Sequence, residues 1–301
     1  AYDNFWSIYL RPPEQRHRQW IIERRDSLLP LNDQKFKGAF YTPFHVVDKA
    51  YDQLLATLGE GWQERYIVWD MCAGVGNLEA KHNHLRNVYM STLDEPDVLF
   101  MKSKPTFAGA TIFQYDFLND DVTDFGEIDY TRSNKVPMAL RQAIADAKAG
   151  VEGAKPILVL INPPYAESGS GIAKGDENKI GVEKTRINGW MREMNVGYAS
   201  KELFAQFLVR IRQELPNAKL AMFSTLKYIN APNFEPFRRV WQARYLDGFV
   251  VHSRAFDGLK GAFPIGFLIW DQSLPEPVRD IEVIALARSG EAISQTQFVV
   301  R

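Results

Sequence analysis

The chain is poor in the residues from which disulfides and metal sites are built. Its 301 residues include one cysteine, Cys72, and five histidines that are scattered along the sequence. A single cysteine excludes an internal disulfide and a cysteine-rich zinc cluster, and it suits a reducing compartment. We therefore expect no metal site and chemistry that does not depend on histidine.

Long apolar runs and an excess of one charge are also missing. No run approaches the roughly 18 residues needed to span a bilayer, and the first residues contain no hydrophobic segment of a signal peptide. The formal net charge is -1, so the overall charge does not indicate a nucleic-acid partner. We predict a cytoplasmic protein without a membrane partner, in which any nucleic acid would meet a local basic surface.

The composition favours a large folded core. Hydrophobic residues make up 46% and aromatic residues 13% of the chain, which is enough for one large α/β domain or a domain with an appendage. The chain begins without methionine and ends in the strand-like sequence QFVVR, which is compatible with a piece of a longer protein.

Seven apolar, β-branched runs have the length of strands, and helical patterns lie between most of them. The alternation predicts an α/β fold with a mostly parallel seven-stranded sheet covered by helices on both faces. The segment between the last two runs is too short for a crossover helix, so we predict an antiparallel C-terminal hairpin at one edge. The runs are YIVW at 66–69, VYMST at 88–92, ATIF at 110–113, ILVLI at 157–161, KLAMF at 219–223, GFVVH at 248–252 and IGFLIW at 265–270.

The helical patterns suggest how the chain is divided. One helix is predicted from a proline at residue 43 to a glycine at 59, and others at 134–150, 200–215 and 233–245. Residues 166–198 are a polar insertion loop, and a loop of this length is usually functional or mobile. We predict an N-terminal helical extension over 1–35, a catalytic domain over 36–286 and a C-terminal tail over 287–301.

Ligands of open α/β sheets bind at the carboxyl ends of the strands, so the residues that follow each strand matter most. After the first strand, Asp70 precedes a turn in which Gly74 and Gly76 permit close approach of a ligand, and Asn77 is predicted to cap the next helix. An ordinary strand-to-helix turn is the alternative. The G-x-G-x-x-G fingerprint fails at Glu79, and acidic residues at this place indicate a cationic ligand and not a phosphate.

The second and third strand ends carry further candidate ligand contacts. Asp94 or Glu95 could accept hydrogen bonds from ribose hydroxyls, and the sequence does not choose between them. Asp116 could accept from an exocyclic amine, and Phe117 could lie against a purine ring. The alternative for this pair is a helix cap followed by a core aromatic.

The fourth strand ends in Asn162, Pro163, Pro164 and Tyr165. The prolines fix φ and remove two backbone donors, so the segment presents carbonyl oxygens without competing N–H groups. The amide oxygen of Asn162 and the Pro163 carbonyl can accept both hydrogens of a planar NH₂ group and direct its lone pair toward an electrophile. Tyr165 offers a face for base stacking, a contact worth about 1–3 kcal/mol. Such a site works by orientation and hydrogen bonding.

The order of these motifs resembles that of S-adenosylmethionine-dependent DNA adenine-N6 methyltransferases with the gamma arrangement. The resemblance covers residues 36–270 and implies a Rossmann-like class I methyltransferase fold, S-adenosyl-L-methionine as cofactor and DNA as partner. It also implies a prokaryotic or mobile-element protein related to type II or type IIG restriction–modification systems. The catalytic motif corresponds to Asn162 through Tyr165, and the segment SKELFAQFLVR at 200–210 looks like the helix of a further family motif.

The resemblance assigns roles to residues elsewhere in the chain. The Tyr-Thr-Pro of the family's helix start, which contacts the methionine part of the cofactor, corresponds to Tyr41, Thr42 and Pro43. The sequence GAFP at 261–264 resembles the motif whose aromatic stacks on the flipped base, which implies Phe263, with Phe256 as a weaker candidate. For the cofactor the resemblance implies the methionine ammonium near Asp70, a lining by Ala73 and Gly74, the ribose at Asp94 or Glu95, and the adenine at Asp116 and Phe117.

The chain departs from this family in one respect, because only about 31 residues follow Trp270 and leave little room for a target-recognition region. Target recognition would then lie in the insertion, the N-terminal arm, a missing part of the polypeptide or a separate subunit. Candidate phosphate contacts are interleaved with acids, and a solvated surface is the alternative for each cluster. They are Arg11, Arg16, Arg18, Arg24, Arg25, Lys174, Lys179, Lys184 and Arg186.

Two other functions fit the same motifs. The Asn-Pro-Pro-Tyr sequence also occurs in protein-glutamine methyltransferases and some RNA methyltransferases, although the GAFYTP segment at 38–43 favours DNA. A non-catalytic DNA-binding subunit of a restriction–modification system is the second alternative.

Overall fold

The computed structural model describes residues 42–165, 184–256, 259 and 261–300. These residues form an α/β fold around one mixed sheet of nine strands in the order β3-β2-β1-β4-β5-β7-β6-β8-β9. The strands are β1 Ile67–Asp70, β2 Val88–Thr92, β3 Thr111–Gln114, β4 Ile157–Ile161, β5 Lys219–Thr225, β6 Arg244–His252, β7 Pro264–Asp271, β8 Ile281–Leu286 and β9 Ala292–Phe298.

The sheet has a parallel half and a mixed half. Strands β3, β2, β1, β4 and β5 pair in parallel, whereas β7 pairs antiparallel with both β5 and β6. All seven predicted runs form strands, and the last two pair antiparallel as predicted, but the sheet has nine strands instead of seven and this pair does not lie at its edge. Strand β7 inserts between β5 and β6, and β8 and β9 continue the sheet beyond β6.

The last two strands lacked a strong sequence signal. In β8, Ile281 and Val283 are buried and alternate with the exposed Glu282, and β8 pairs in parallel with β6. In β9, a mostly exposed strand, the polar sequence SQTQ at 294–297 pairs antiparallel with β8. Because β9 lies within the segment predicted as a C-terminal tail, the sheet extends into that segment.

Helices lie against both faces of the sheet. They are α1 Phe44–Leu58, α2 Trp62–Arg65, α3 Glu95–Ser103, α4 Met138–Ala149, α5 Arg186–Glu193, α6 Leu203–Glu214, α7 Lys227–Asn230 and α8 Glu235–Val240. Successive residues of a strand point to opposite faces. In β4, Val159 belongs to the hydrophobic cluster that contains α4, α5 and α6 residues, whereas Leu158 and Leu160 belong to the cluster that contains α1 and α3 residues. Both faces are therefore buried.

Helix α5 corrects the expectation that residues 166–198 are a polar loop throughout. Ile187 and Met191 lie one turn apart on α5 and are both buried. The Thr185 hydroxyl caps the helix by accepting a hydrogen bond from Asn188 N at 3.0 Å. The predicted extension over 1–35 and residues 166–183 of the insertion lie outside the described residues.

The sheet order positions the site. From β1 the chain continues to β2 and β3 on one side, whereas β4 and β5 lie on the other side of β1. The strand order therefore reverses between β1 and β4, and ligands of open α/β sheets bind at such a switch point. Of the helices that the structure describes, none is long and apolar enough to cross a membrane.

Candidate functional site

Hydrogen bonds from two backbone N–H groups fix the turn after β1. Cys72 N donates to Asp70 Oδ1 at 2.7 Å, and Ala73 N donates to the carbonyl of Ser91 in β2 at 2.9 Å. Gly74 has φ +54° and faces open space, because an added Cβ would meet no heavy atom within 4 Å. At Gly76, with φ +81°, an added Cβ would lie 2.7 Å from the Met90 side chain. The first glycine leaves room in front of the turn, whereas the second permits close packing behind it.

Asn162 follows β4 directly, and its amide is held at both ends. Its Nδ2 donates to the Thr42 hydroxyl at 2.8 Å, and its Oδ1 accepts a hydrogen bond from the phenol of Tyr165. These two contacts orient the amide at the carboxyl end of β4, beside the switch point. Pro163 is buried, whereas Pro164 and Tyr165 are half-buried.

Thr42 joins the start of α1 to the two strand ends. Its side chain is buried, and its carbonyl accepts a hydrogen bond from Asn77 Nδ2 at 3.3 Å. Asn77 precedes the 3-10 helix Leu78–Lys81 but makes no side-chain capping bond there, so the predicted capping role is wrong. Pro43 lies immediately before α1, and Tyr41 lies outside the described residues.

The residues after β3 make the local contacts expected of a cap followed by a core aromatic, which was the alternative to a ligand site. The Asp116 carboxylate accepts hydrogen bonds from Leu118 N at 3.1 Å and from Asn119 Nδ2 at 2.8 Å, so it closes its own turn. Phe117 is buried and stacks on Phe207 of α6, with ring centres 5.4 Å apart. Its ring packs in the core with 2% of its surface exposed, which leaves almost no face open to a purine.

The remaining predicted residues are divided between the core and the surface. Asp94 is half-buried at the start of α3, and Glu95 is exposed, so both lie at the carboxyl end of β2. Phe263 is half-buried before β7 and contacts the same hydrophobic cluster as Tyr165. Phe256, the weaker candidate for stacking on the base, is a buried core residue that packs edge-to-face against Phe223 at 5.9 Å.

Burial sets the protonation states around this turn. Burial raises the pKa of Asp70, and hydrogen bonds from Glu79 and Cys72 lower it in part. Burial and the nearby Asp70 charge raise the pKa of the Cys72 thiol well above its usual value. Burial and then Cys72 raise the pKa of Tyr165, so its phenol stays protonated and can donate to Asn162. Within the described part of the chain, no three His, Cys, Asp or Glu side chains are grouped to hold a metal ion.

One candidate phosphate contact has an internal role. The guanidinium of Arg186 donates to the Val122 carbonyl at 3.3 Å and to Asp124 Oδ1 at 2.8 Å. It therefore ties α5 to the segment after β3. Lys184 is exposed, and the other basic candidates lie outside the described residues.

Arg210 of α6 was not identified from the sequence as part of this region. It is fully buried and forms an ion pair with Glu214 at 2.9 Å. Its guanidinium also donates to the carbonyls of Phe117 and Asp120 and to the Tyr115 hydroxyl, so it fixes the segment after β3. The sequence contains an indication of this role, because Arg210 is a charged residue within the otherwise apolar sequence FLVRI at 207–211.

A cavity of about 220 Å³ lies at the amino ends of β4 and β5, on the side of the sheet away from the candidate site. Its lining includes Lys155 and Pro156 just before β4, and Leu215 and Ala218 just before β5. Because these residues precede their strands, the cavity lies at the amino ends and is separate from the candidate site.

Comparisons with known proteins give the fold. No protein-family model and no curated protein matches the chain. Among solved structures, the DrdV–DNA complex is similar with a TM-score of 0.55 at 15% identity, over 92% of this chain and 31% of that chain. A nuclease-deletion mutant of the type ISP restriction–modification enzyme LlaGI, in complex with a DNA substrate mimic, is similar with a TM-score of 0.55 at 12% identity, over 95% and 32%.

A further similarity is to the ATP-dependent type ISP restriction–modification enzyme LlaBIII bound to DNA, with a TM-score of 0.49 at 13% identity, over 83% of this chain and 20% of that chain. The chain thus spans a third or less of the length of these solved chains. With TM-scores of 0.55 to the first two structures, the chain has the α/β fold found within DrdV and the restriction–modification enzyme LlaGI.

Proposed function

We propose that this chain carries the catalytic site of a DNA methyltransferase that transfers the methyl group of S-adenosyl-L-methionine to the N6 amine of a flipped-out adenine. The observation that carries the proposal is the position of the Asn162 amide at the carboxyl end of β4, held by Thr42 and Tyr165 beside the switch point. An amide fixed in this way presents an oxygen acceptor in a set direction.

The turn after β1 fits the cofactor. Gly74 has a positive φ and open space in front of it, and Asp70 is the last residue of β1. An acid at this position suits the ammonium of the methionine part, as the resemblance implies. S-adenosylmethionine, when bound, supplies an electrophilic methyl group.

The chain's own residues prepare the amine for attack. Asn162 Oδ1 accepts one N6 hydrogen in place of the Tyr165 phenol, and the Pro163 carbonyl accepts the other. Holding both hydrogens directs the nitrogen lone pair out of the base plane, toward the methyl group. The amine takes the methyl group as the S–C bond to the sulfonium breaks and its electron pair stays on sulfur, and the methylated amine then releases one proton to solvent. Orientation of this kind accounts for much of the rate when reacting atoms are held in line.

A base inside a duplex cannot reach this amide, so the adenine must leave the stack at a cost of a few kcal/mol. Tyr165 offers a ring face to offset part of that cost, and Phe263 contacts the same hydrophobic cluster. DNA as the partner is supported by the solved complexes that share the fold. Because those chains are about three times as long, we propose that target recognition lies outside the described residues or in another subunit.

Labelled methyl transfer to DNA, to a glutamine-containing peptide and to RNA, measured side by side, tests the proposal. We expect label in DNA with the parent protein and none with Asn162→Ala. Transfer to peptide or RNA alone would replace the proposal by another methyltransferase activity. Cofactor binding without transfer to any of the three substrates would instead indicate a non-catalytic DNA-binding subunit.

A further inference from the structure

Glu79 is a buried acid that the proposed reaction does not use. It belongs to the 3-10 helix Leu78–Lys81 behind the turn after β1, and its side chain is fully buried. Among the described residues, neither of its carboxylate oxygens has a hydrogen-bond donor. An ionised carboxylate without donors is strongly disfavoured in an apolar environment, and such groups become neutral acids.

No basic side chain of the described residues is among the groups that shift the pKa of Glu79. Tyr51 of α1 approaches it with a buried phenol whose pKa is raised by burial and then by the charges of Glu79 and Asp70. Burial lowers the pKa of His82 to about 4, so this imidazole is neutral at pH 7. Lys81 pairs with Asp48 at 2.9 Å on the surface.

The remaining neighbours are Asp70 and Cys72. A hydrogen bond from the Glu79 side chain lowers the pKa of Asp70, which indicates that the two buried carboxyl groups are neighbours. Asp70 Oδ1 also accepts the Cys72 N–H at 2.7 Å. Two carboxylates in contact need a proton between them. Asp70 has a backbone donor at 2.7 Å, whereas no donor of the described residues reaches either Glu79 oxygen with hydrogen-bond geometry, so the proton belongs on Glu79. Burial and then the Asp70 charge raise the pKa of Glu79 well above its usual value, in the same direction.

We propose that Glu79 is a protonated positioning residue whose O–H donates to Asp70 and holds it as the anion that receives the cofactor's ammonium. The inference rests on the proposed function, because it deepens the role of Asp70 at that site. Glu79 acts from behind Asp70 and does not itself touch the cofactor.

Two substitutions of similar size separate the donor from the charge. Glu79→Gln keeps a hydrogen-bond donor toward Asp70, whereas Glu79→Met removes it. We expect Glu79→Gln to bind S-adenosylmethionine as the parent protein does. Glu79→Met should bind roughly 10-fold more weakly or worse, since a hydrogen bond to a charged group is lost. Calorimetric titration of the purified chain with S-adenosylmethionine measures both.

The pH dependence supplies a second readout. Without the O–H donor, Asp70 takes up a proton more readily, so the loss of affinity on acidification should begin at higher pH in Glu79→Met than in the parent protein. Glu79→Gln should follow the parent profile. Equal weakening by both substitutions would overturn the inference, because it would show that the charge of Glu79 and not its donor matters.

A ligand-free measurement keeps the inference separate from the proposed function. The infrared difference spectrum of the parent protein minus Glu79→Gln at pH 7 should contain the C=O band of a protonated carboxyl group. Absence of this band would refute a protonated Glu79, even if Glu79→Met does not fold. If the band is present and the parent protein binds no S-adenosylmethionine, the cofactor role falls with the proposed function.

Discussion

The Asn162 nitrogen lies 2.8 Å from the Thr42 hydroxyl, while the Asn162 oxygen accepts the Tyr165 phenol. The amide therefore cannot turn over without losing both contacts. In the proposed reaction, a donor on the target base replaces the phenol at the same oxygen. At this scale the site is a fixed acceptor whose natural partner is another N–H or O–H group.

Asn162→Ala should separate chemistry from cofactor binding. Removing the acceptor leaves the amine's lone pair delocalised, and loss of one such preorganised hydrogen bond typically costs about 100- to 1,000-fold in rate. Affinity for S-adenosylmethionine should stay close to that of the parent protein. Asp116→Ala should do the reverse, because it removes the carboxylate that closes the turn after β3, and should weaken cofactor binding while sparing transfer at saturation. Calorimetry and a radiolabelled methyl assay measure both, and equal loss of both properties in both variants would refute this division of roles.

Thr42→Val tests the contact that orients the amide. The substitution keeps the shape of the side chain but removes the acceptor for Asn162 Nδ2, which is worth about 1 kcal/mol. We expect kcat to fall roughly 5-fold, with little change in the cofactor's KM, whereas Thr42→Ser should keep most of the activity. A parent-like kcat in Thr42→Val would show that the hydroxyl does not position Asn162.

His82→Phe tests the buried cluster behind the turn. Burial lowers the pKa of His82 to about 4, below its usual value of 6.5, so the unfolded chain binds the proton more readily. His82 therefore lowers the free energy of unfolding as pH falls from 6.5 toward 4, by about 3 kcal/mol at most. Urea unfolding across this range should give a shallower acid dependence in His82→Phe. Parallel pH profiles for the two proteins would contradict the prediction.

The sequence predicts Asn162 as an acceptor but does not predict the two contacts that orient its amide. Asn162 and Tyr165 lie within four consecutive residues, so their chemistry can be read as a motif. The Thr42 contact joins positions 120 residues apart, and Thr42 was instead assigned to the cofactor. Asp116 illustrates the opposite case, because a local carboxylate cap and a ligand contact produce the same sequence pattern.

At the scale of elements, α6 anchors the segment after β3 through one buried guanidinium. Arg210 pairs with Glu214 on α6 and reaches two backbone carbonyls and the Tyr115 hydroxyl of that segment. Tyr130 donates to the same Glu214 carboxylate. Removing Arg210 from this network therefore leaves the Glu214 carboxylate buried without its cationic partner.

Arg210→Met should lower the free energy of unfolding by about 3–5 kcal/mol, because it leaves the Glu214 charge buried and unpaired. Replacing Glu214 by Leu as well should recover much of this loss. The matched control is Arg239→Met, which breaks the exposed Arg239–Glu235 pair of α8 and should cost less than about 1 kcal/mol. Chemical denaturation measures all three proteins. Equal effects of Arg210→Met and Arg239→Met would rule out the buried network as an anchor.

Elements with clear periodicity were predictable, and elements whose burial depends on partners were not. The helix predicted at 43–59 is present as α1. It was predictable because its apolar residues recur on one face. Helix α5 was not predicted, because Ile187 and Met191 are the only apolar residues on its buried face and two residues are too few to form a clear helical pattern. Strand β9 is mostly exposed and is defined by its pairing with β8, which leaves little pattern in its own sequence.

At the scale of the whole molecule, the reversal of strand order gathers the site. The ends of β1 and β4 are neighbours in the sheet although Asp70 and Asn162 are far apart in the chain. The alternation of strands and helices predicted this meeting of strand ends. It did not predict the insertion of β7 between β5 and β6, because the antiparallel pairing of the last two predicted runs leaves their order open.

The most direct test of the account is a search for modified adenines in DNA from host cells that express this chain, read by modification-sensitive sequencing. Expression of the Asn162→Ala variant at the same level is the matched control. The account predicts N6-methyladenine at a recurring site in cells with the parent protein and none with the variant. Methylated adenines at equal levels in both cultures, or in neither although the purified parent protein binds S-adenosylmethionine, would contradict it.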